Sequence, residues 1–128
     1  MSESEHPLII LVEDNPSIAK LIEFKLSREP FRLEHYANGI EGWEAIRDKS
    51  PDLVVLDVML PGMNGFDILY KMRDNENTKG TKVMMLTSKS REEDLQRGFD
   101  HEVVEYMSKP FKIGEFMLRV NRIMKVKG

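Results

Sequence analysis

The sequence predicts an α/β domain built on a parallel five-stranded sheet with helices on both faces. Three observations carry this. Short apolar runs alternate with amphipathic stretches along the whole chain. The central runs are apolar at every position, as strands covered on both faces are. The 128 residues suffice for one domain that buries about two-thirds of its unfolded surface.

The first run, Leu8-Ile9-Ile10-Leu11-Val12, lies between Pro7 and an acidic pair and is the first buried strand. Asn15-Pro16 then starts a helix, Asn15 as cap and Pro16 at its first position. Ile18, Leu21, Ile22 and Leu26 recur at helical spacing, and the helix should stop before Pro30. Phe31 to Tyr36 alternates apolar with polar, the pattern of a half-exposed edge strand. Asn38 with Glu41 forms a capping box for a helix expected to carry Ile40, Trp43 and Ile46 inward. Gly42 in its middle costs about 1 kcal/mol against Ala and implies close packing or mere tolerance.

Leu53-Val54-Val55-Leu56 is a central strand, and after the Pro61-Gly62 turn Phe66, Leu69, Tyr70 and Met72 mark a third helix. Lys82 to Leu86 is the fourth strand, followed by a charged helix over Arg91–His101. Val103 to Met107 is the fifth strand, and Ile113, Phe116, Met117, Val120 and Ile123 form one side of the last helix. Residues 1–6 are expected to be a disordered tail ahead of a single domain over 7–128.

Composition narrows the chemistry. Nineteen Lys and Arg against 22 Asp and Glu leave a net charge of −3, so the chain has no global attraction to nucleic acid or anionic lipid. Cysteine is absent, which excludes disulfides, thiolate catalysis and cysteine-ligated metals. No apolar run approaches the roughly 20 residues that cross a bilayer, and the acidic start is not a signal peptide, so a cytoplasmic protein is expected. His6, His35 and His101 show no ligand spacing.

In open parallel sheets, ligands sit beyond the carboxyl ends of the strands. At those ends stand Glu13 and Asp14, Asp57, Thr87 with Ser88, and Lys109 before Pro110. Singly, each is ordinary: an acid there is commonly a helix cap or a solvated charge, Thr87 a cap, Lys109 surface charge. Together they are specific. Clustered carboxylates repel unless a cation is present, and hard oxygen ligands without His or Cys select Mg²⁺ or Mn²⁺. A lysine and a hydroxyl beside such an ion suit a phosphoryl group, and a carboxylate such as Asp57 can accept one as an acyl phosphate.

Leu11-Val12-Glu13-Asp14-Asn15, Asp57-Val58-Met59-Leu60-Pro61-Gly62-Met63-Asn64-Gly65, Leu86-Thr87-Ser88 and Tyr106-Met107-Ser108-Lys109-Pro110-Phe111 resemble, in order and spacing, the receiver domain of two-component response regulators. The family includes the single-domain chemotaxis regulators, and the resemblance spans residues 7–125. It implies a flavodoxin-like (βα)5 three-layer sandwich with strand order 2-1-3-4-5. It implies that Asp57 accepts phosphate from a phosphohistidine on a sensor histidine kinase or a phosphotransfer protein. Glu13, Asp14, Asp57 and the backbone carbonyl of Met59 would hold Mg²⁺, with Mn²⁺ as a substitute. Lys109 would pair with the phosphoryl group, Thr87 would hydrogen-bond it, Tyr106 would be the switch aromatic, and Pro110 would follow a cis bond. The implied activity is weak phosphotransfer and self-dephosphorylation rather than that of a conventional enzyme.

The same resemblance implies that phosphorylation reshapes the face of the fourth helix, fifth strand and last helix, through which receivers control a partner and often dimerise. Here that face carries Arg91, Glu92, Glu93, Arg97, Glu105, Lys112 and Arg119, which suit a paired interface or a solvated surface equally. Two features depart from the family or stand out within it. Glu102-Val103-Val104-Glu105 replaces the usual Gly-Ala and two polar residues, so the fourth helix should end near Gly98 or strain its last turn. Met59 and Lys89, each two positions beyond a site residue, would shield an acyl phosphate or merely decorate the rim. A non-phosphorylated interaction module on the same fold is the alternative, which the complete residue set argues against. A haloacid-dehalogenase-like phosphatase needs an acid where Met59 stands and fails.

Overall fold

The computed structural model describes residues 6–88, 96 and 100–124. Its elements are β1 (Leu8–Val12), α1 (Pro16–Leu26), β2 (Arg32–Tyr36), α2 (Gly39–Lys49), β3 (Leu53–Asp57), α3 (Gly65–Arg73), β4 (Lys82–Thr87), β5 (Glu105–Ser108) and α4 (Ile113–Met124). All strand pairs are parallel, and the sheet order is β2-β1-β3-β4-β5. The expected α/β fold and strand order are both present.

Side-chain alternation in the strands divides the core into two layers. Ile10, Val12, Val54, Leu56, Val83 and Met85 point to one face and pack against α2 and α3 through Ala45, Ile46, Phe66 and Leu69. Ile9, Leu11, Val55, Met84 and Leu86 point to the other and meet α1 and α4 through Ile22, Leu26, Phe116 and Val120. Strands β1 and β3 are buried throughout, which is why they are apolar at every position. The edge strand β2 is only half-buried.

The asparagine caps act as expected. Asn15 accepts from the amides of Ser17 and Ile18, Asn38 from Glu41, and Asn64 from Asp67, each meeting orphan donors of a first helical turn. Pro16 occupies the first position of α1.

Ile40, expected inward, is not, and Leu21 of the helical-spacing set in α1 also faces out. Ile40 is 50% exposed, because α2 meets the sheet through Gly42, Ala45 and Ile46. A Cβ on Gly42 would lie 2.8 Å from both γ-methyls of Val12, so this glycine serves close packing. Leu21 is 43% exposed because Ala19, Ile22 and Leu26 define the buried face of α1. The fifth strand starts at Glu105, two residues later than the apolar run implies, since the chain still turns through His101 and Glu102.

That turn resolves the departure at 102–105. Gln96 and Asp100 are helical; Gly98, where the helix was expected to end, and residues 91–95 lie outside the described residues. Glu102 takes a left-handed φ of 60°, the strained alternative. Arg73, at the end of α3, holds the turn. Its guanidinium donates to the carbonyls of His101 (2.7 Å), Thr81 (2.8 Å), Lys79 (3.0 Å) and Glu102 (3.3 Å). The Tyr70 ring packs 4.5 Å from that of His101. The expected tail falls outside the described residues except for His6, whose carbonyl accepts from Arg32 Nε at 2.9 Å. None of the described helices is long and apolar enough to cross a membrane.

Candidate functional site

Sheet register assembles the site. Val12 pairs with Leu56, so the next residues, Glu13 and Asp57, stand side by side at the carboxyl edge. Alternation puts both on the same face, in sequence with Leu11 and Val55. Asp57 pairs with Leu86 and Thr87 with Ser108, which sets Thr87 and Lys109 at the same edge. The Lys109 amide donates to the Thr87 carbonyl at 2.7 Å, and the Lys109–Pro110 bond is cis.

Glu13 and Asp57 are buried, at 0% and 5% exposure. Lys109 Nζ lies 2.7 Å from Glu13 Oε1 and 3.0 Å from Asp57 Oδ2, bridging the two carboxylates. Its approach to Glu13 is close but poorly aligned, and Glu13 Oε1 has no hydrogen-bond donor. Glu13 Oε2 accepts the Asn15 amide at 3.0 Å, and Asp57 Oδ1 accepts the Met59 amide at 3.3 Å. Asp14 is exposed, yet oxygens of Glu13, Asp14 and Asp57 all fall within 4.8 Å of one another.

Burial raises the Asp57 carboxyl; the Lys109 hydrogen bond draws it down and the Glu13 charge pushes it up, leaving it at about 6. For Lys109, burial works to lower the ammonium, but its close ion pair with Glu13 and its hydrogen bond and charge attraction to Asp57 win and hold it above its ordinary value. The pocket therefore holds two carboxylates against one cation, with excess negative charge in a dry setting.

The response regulator receiver domain model matches residues 9–121. The chain belongs to this family. It is 38% identical over 112 residues to the DNA-binding response regulator MtrA of Mycolicibacterium smegmatis, covering 88% of this chain and 48% of that protein. It is 32% identical over 119 residues to the transcriptional regulator RpaA of Synechocystis, covering 93% of this chain and 49% of that protein. The receiver thus spans about half the length of these curated relatives. Among solved structures, the non-phosphorylated HemR receiver domain of Leptospira biflexa matches with a TM-score of 0.84 and 32% identity, covering 95% of this chain and 97% of that one. The PA1611 receiver domain of Pseudomonas aeruginosa, solved with a magnesium ion coordinated in its active-site cleft, matches at 0.83 and 26%, covering 94% and 99%.

The residues of this receiver fit a hard divalent cation. Three oxygen ligands converge, none of the cluster is His or Cys, and the buried Glu13 Oε1, though beside the Lys109 ammonium, has no aligned hydrogen-bond donor and is left able to ligate. Of the other predicted residues, Thr87 is buried at the end of β4, and Tyr106 is half-buried on β5 against the α2–α3 layer. The Met59 side chain is 71% exposed at the rim. Lys89 lies outside the described residues.

Two residues at the receiver's site escaped the sequence reading. Gly65 opens α3 directly under the site, where a Cβ would lie 2.4 Å from the Asp57 carbonyl oxygen. It stands in the quoted motif, but only packing reveals why glycine is needed. His35 Nε2 contacts the Glu13 carbonyl at 2.7 Å. Its place in the β2 alternation beside Leu33 was the available signal, and it names the face without naming the neighbour.

Proposed function

We propose that this receiver is a phosphorylation switch in which Asp57 accepts a phosphoryl group from a phosphohistidine of a sensor histidine kinase or phosphotransfer protein. The observation that carries the reading is Lys109 bridging buried Glu13 and Asp57, with Asp14 completing an acidic pocket at the sheet edge. Glu13, Asp14, Asp57 and the Met59 carbonyl would hold Mg²⁺, with Mn²⁺ as a substitute, and the ion would supply charge neutralisation for the phosphoryl oxygens.

The chain's own residues do the rest. Asp57, ionised above about pH 6, directs a carboxylate oxygen at phosphorus. A phosphorus–oxygen bond forms as the phosphorus–nitrogen bond of the donor breaks, and the released imidazole takes a proton from solvent. The Met59 amide and Lys109 fix the orientation of the Asp57 carboxylate before the attack. Once the acyl phosphate stands there, Lys109 pairs with its charge and the Thr87 hydroxyl donates to one of its oxygens. Water attack at phosphorus later returns Asp57 and inorganic phosphate.

The new dianion draws Thr87 and Lys109 toward it and shifts the packing of Tyr106, reshaping the surface of β5 and α4. In the unmodified protein Arg119 on that surface is paired with Glu105 and, at 2.9 Å, with Glu115. A downstream protein or domain, or a second receiver, would read this face.

The test is intact mass after incubation with acetyl phosphate and Mg²⁺. A gain of one phosphoryl group that is lost in Asp57→Asn and in metal-free buffer is the expected result. No gain in a folded protein that binds Mg²⁺ would favour a phosphate-independent interaction module.

A further inference from the structure

We infer that His35 is a positioning residue that presents the Glu13–Asp14 segment to its divalent cation. This role rests on the proposed cation site and adds to it a device on the sheet's edge strand.

The geometry begins at the end of β1. The Glu13 amide continues the parallel ladder by donating to the Tyr36 carbonyl at 3.1 Å. Its own carbonyl, one atom group beyond the last strand residue, is met by the His35 ring, with Nε2 at 2.7 Å. A carbonyl only accepts, so Nε2 is the donor. The other ring nitrogen faces α1, where Glu23 Oε1 lies 3.2 Å from Nδ1. The Nε2–H bond to the Glu13 carbonyl ties the ring to that peptide unit, while Glu23 stands beside the opposite edge of the ring.

What the ring holds is the peptide unit joining Glu13 to Asp14. That unit sets the direction in which the chain leaves the sheet and therefore where the Asp14 carboxylate stands. Glu13 needs little such help, because its side chain is fully buried and anchored by the Asn15 amide. Asp14 is exposed, and among the described residues no hydrogen bond holds its side chain. Its placement depends on the backbone, and the backbone there is pinned by Tyr36 on one side and His35 on the other.

The test compares Mg²⁺ affinity by calorimetry in the wild type, His35→Phe and His35→Gln, alongside melting temperatures in metal-free buffer. His35→Phe removes the donor and is expected to weaken Mg²⁺ binding about tenfold, the lower end for groups that orient metal ligands. His35→Gln, whose amide nitrogen reaches a position like Nε2, is expected to restore most of the affinity. His35→Val, favourable in an edge strand, takes the place of His35→Phe should the phenyl ring prevent folding. A lowered melting temperature with unchanged Mg²⁺ affinity would overturn the positioning role while leaving the cation site standing. Absence of Mg²⁺ binding in the wild type would overturn both.

Discussion

Replacing Lys109 with methionine strips the counter-charge from two carboxylates that are almost wholly out of water. The ammonium lies 2.7 Å from one and 3.0 Å from the other, with only 15% of its side chain exposed. Removing one partner of such a buried ionic cluster costs about 3–5 kcal/mol. The lower figure applies here, because Asp57 can relieve part of the repulsion by taking up a proton. Unfolding entropy near 2.1 cal/mol/K per residue gives about 270 cal/mol/K for 128 residues. A loss of about 3 kcal/mol then corresponds to a melting temperature about 10 °C lower in metal-free buffer. Mg²⁺ should restore part of it. The deficit should also shrink on acidification toward about pH 6, because an Asp57 carboxyl that has lost the lowering influence of Lys109 takes up its proton at higher pH than in the wild type. Thermal unfolding followed by circular dichroism, with and without Mg²⁺, reads all three effects. A metal-free deficit under about 2 °C, or one that grows as the pH falls, would refute the reasoning.

Two further outcomes follow from the same site. The Asp57 carboxyl, raised to about 6 by burial first, holds its proton in the folded state after the unfolded chain has released it. The stability this proton contributes is lost as pH rises from the ordinary carboxylate range to about 6, so metal-free Asp57→Asn should gain on the wild type across that window; a difference independent of pH would contradict this. Gly65→Ala places a methyl 2.4 Å from the Asp57 carbonyl oxygen, and is expected to cost about 2 kcal/mol or more in chemical denaturation and to slow phosphorylation by acetyl phosphate. Wild-type stability and rate in that variant would remove the claim that α3 fixes the site from below.

The fold was legible because each strand announces its own burial. Runs such as Leu8 to Val12 and Leu53 to Leu56 leave no polar face, so only a sheet covered on both sides accommodates them. Asn15, Asn38 and Asn64 mark helix starts through a local side-chain bond that needs no tertiary knowledge. The site was legible in its residues, since strand ends in a parallel sheet converge by topology alone. What stayed hidden depends on contacts distant in sequence. Ile40 was misplaced because the face of α2 that meets the sheet runs through Gly42, Ala45 and Ile46, and the 2.8 Å approach of Gly42 to Val12 reveals this. His35 lacked any ligand spacing because its partner is a backbone carbonyl, which carries no sequence signature. The left-handed Glu102 could be anticipated as one of two outcomes but not chosen, since Arg73 makes the choice from another helix.

Arg73 has a mechanical consequence. One rigid, planar guanidinium grips the loop leading into β4, at Lys79 and Thr81, and the turn leading toward β5, at His101 and Glu102. Neighbouring β4 and β5 are thereby tied at their entrances, at the end of the sheet opposite Asp57. Motion that enters at the Thr87 end cannot slide β5 along its neighbour without breaking these bonds. In the proposed switch it would become a swing about a fulcrum at Arg73, largest at Ser108 and vanishing toward Glu102. Tyr106 sits part-way along that lever arm, so a small pull at the proposed phosphorylation end would become a graded tilt of the ring.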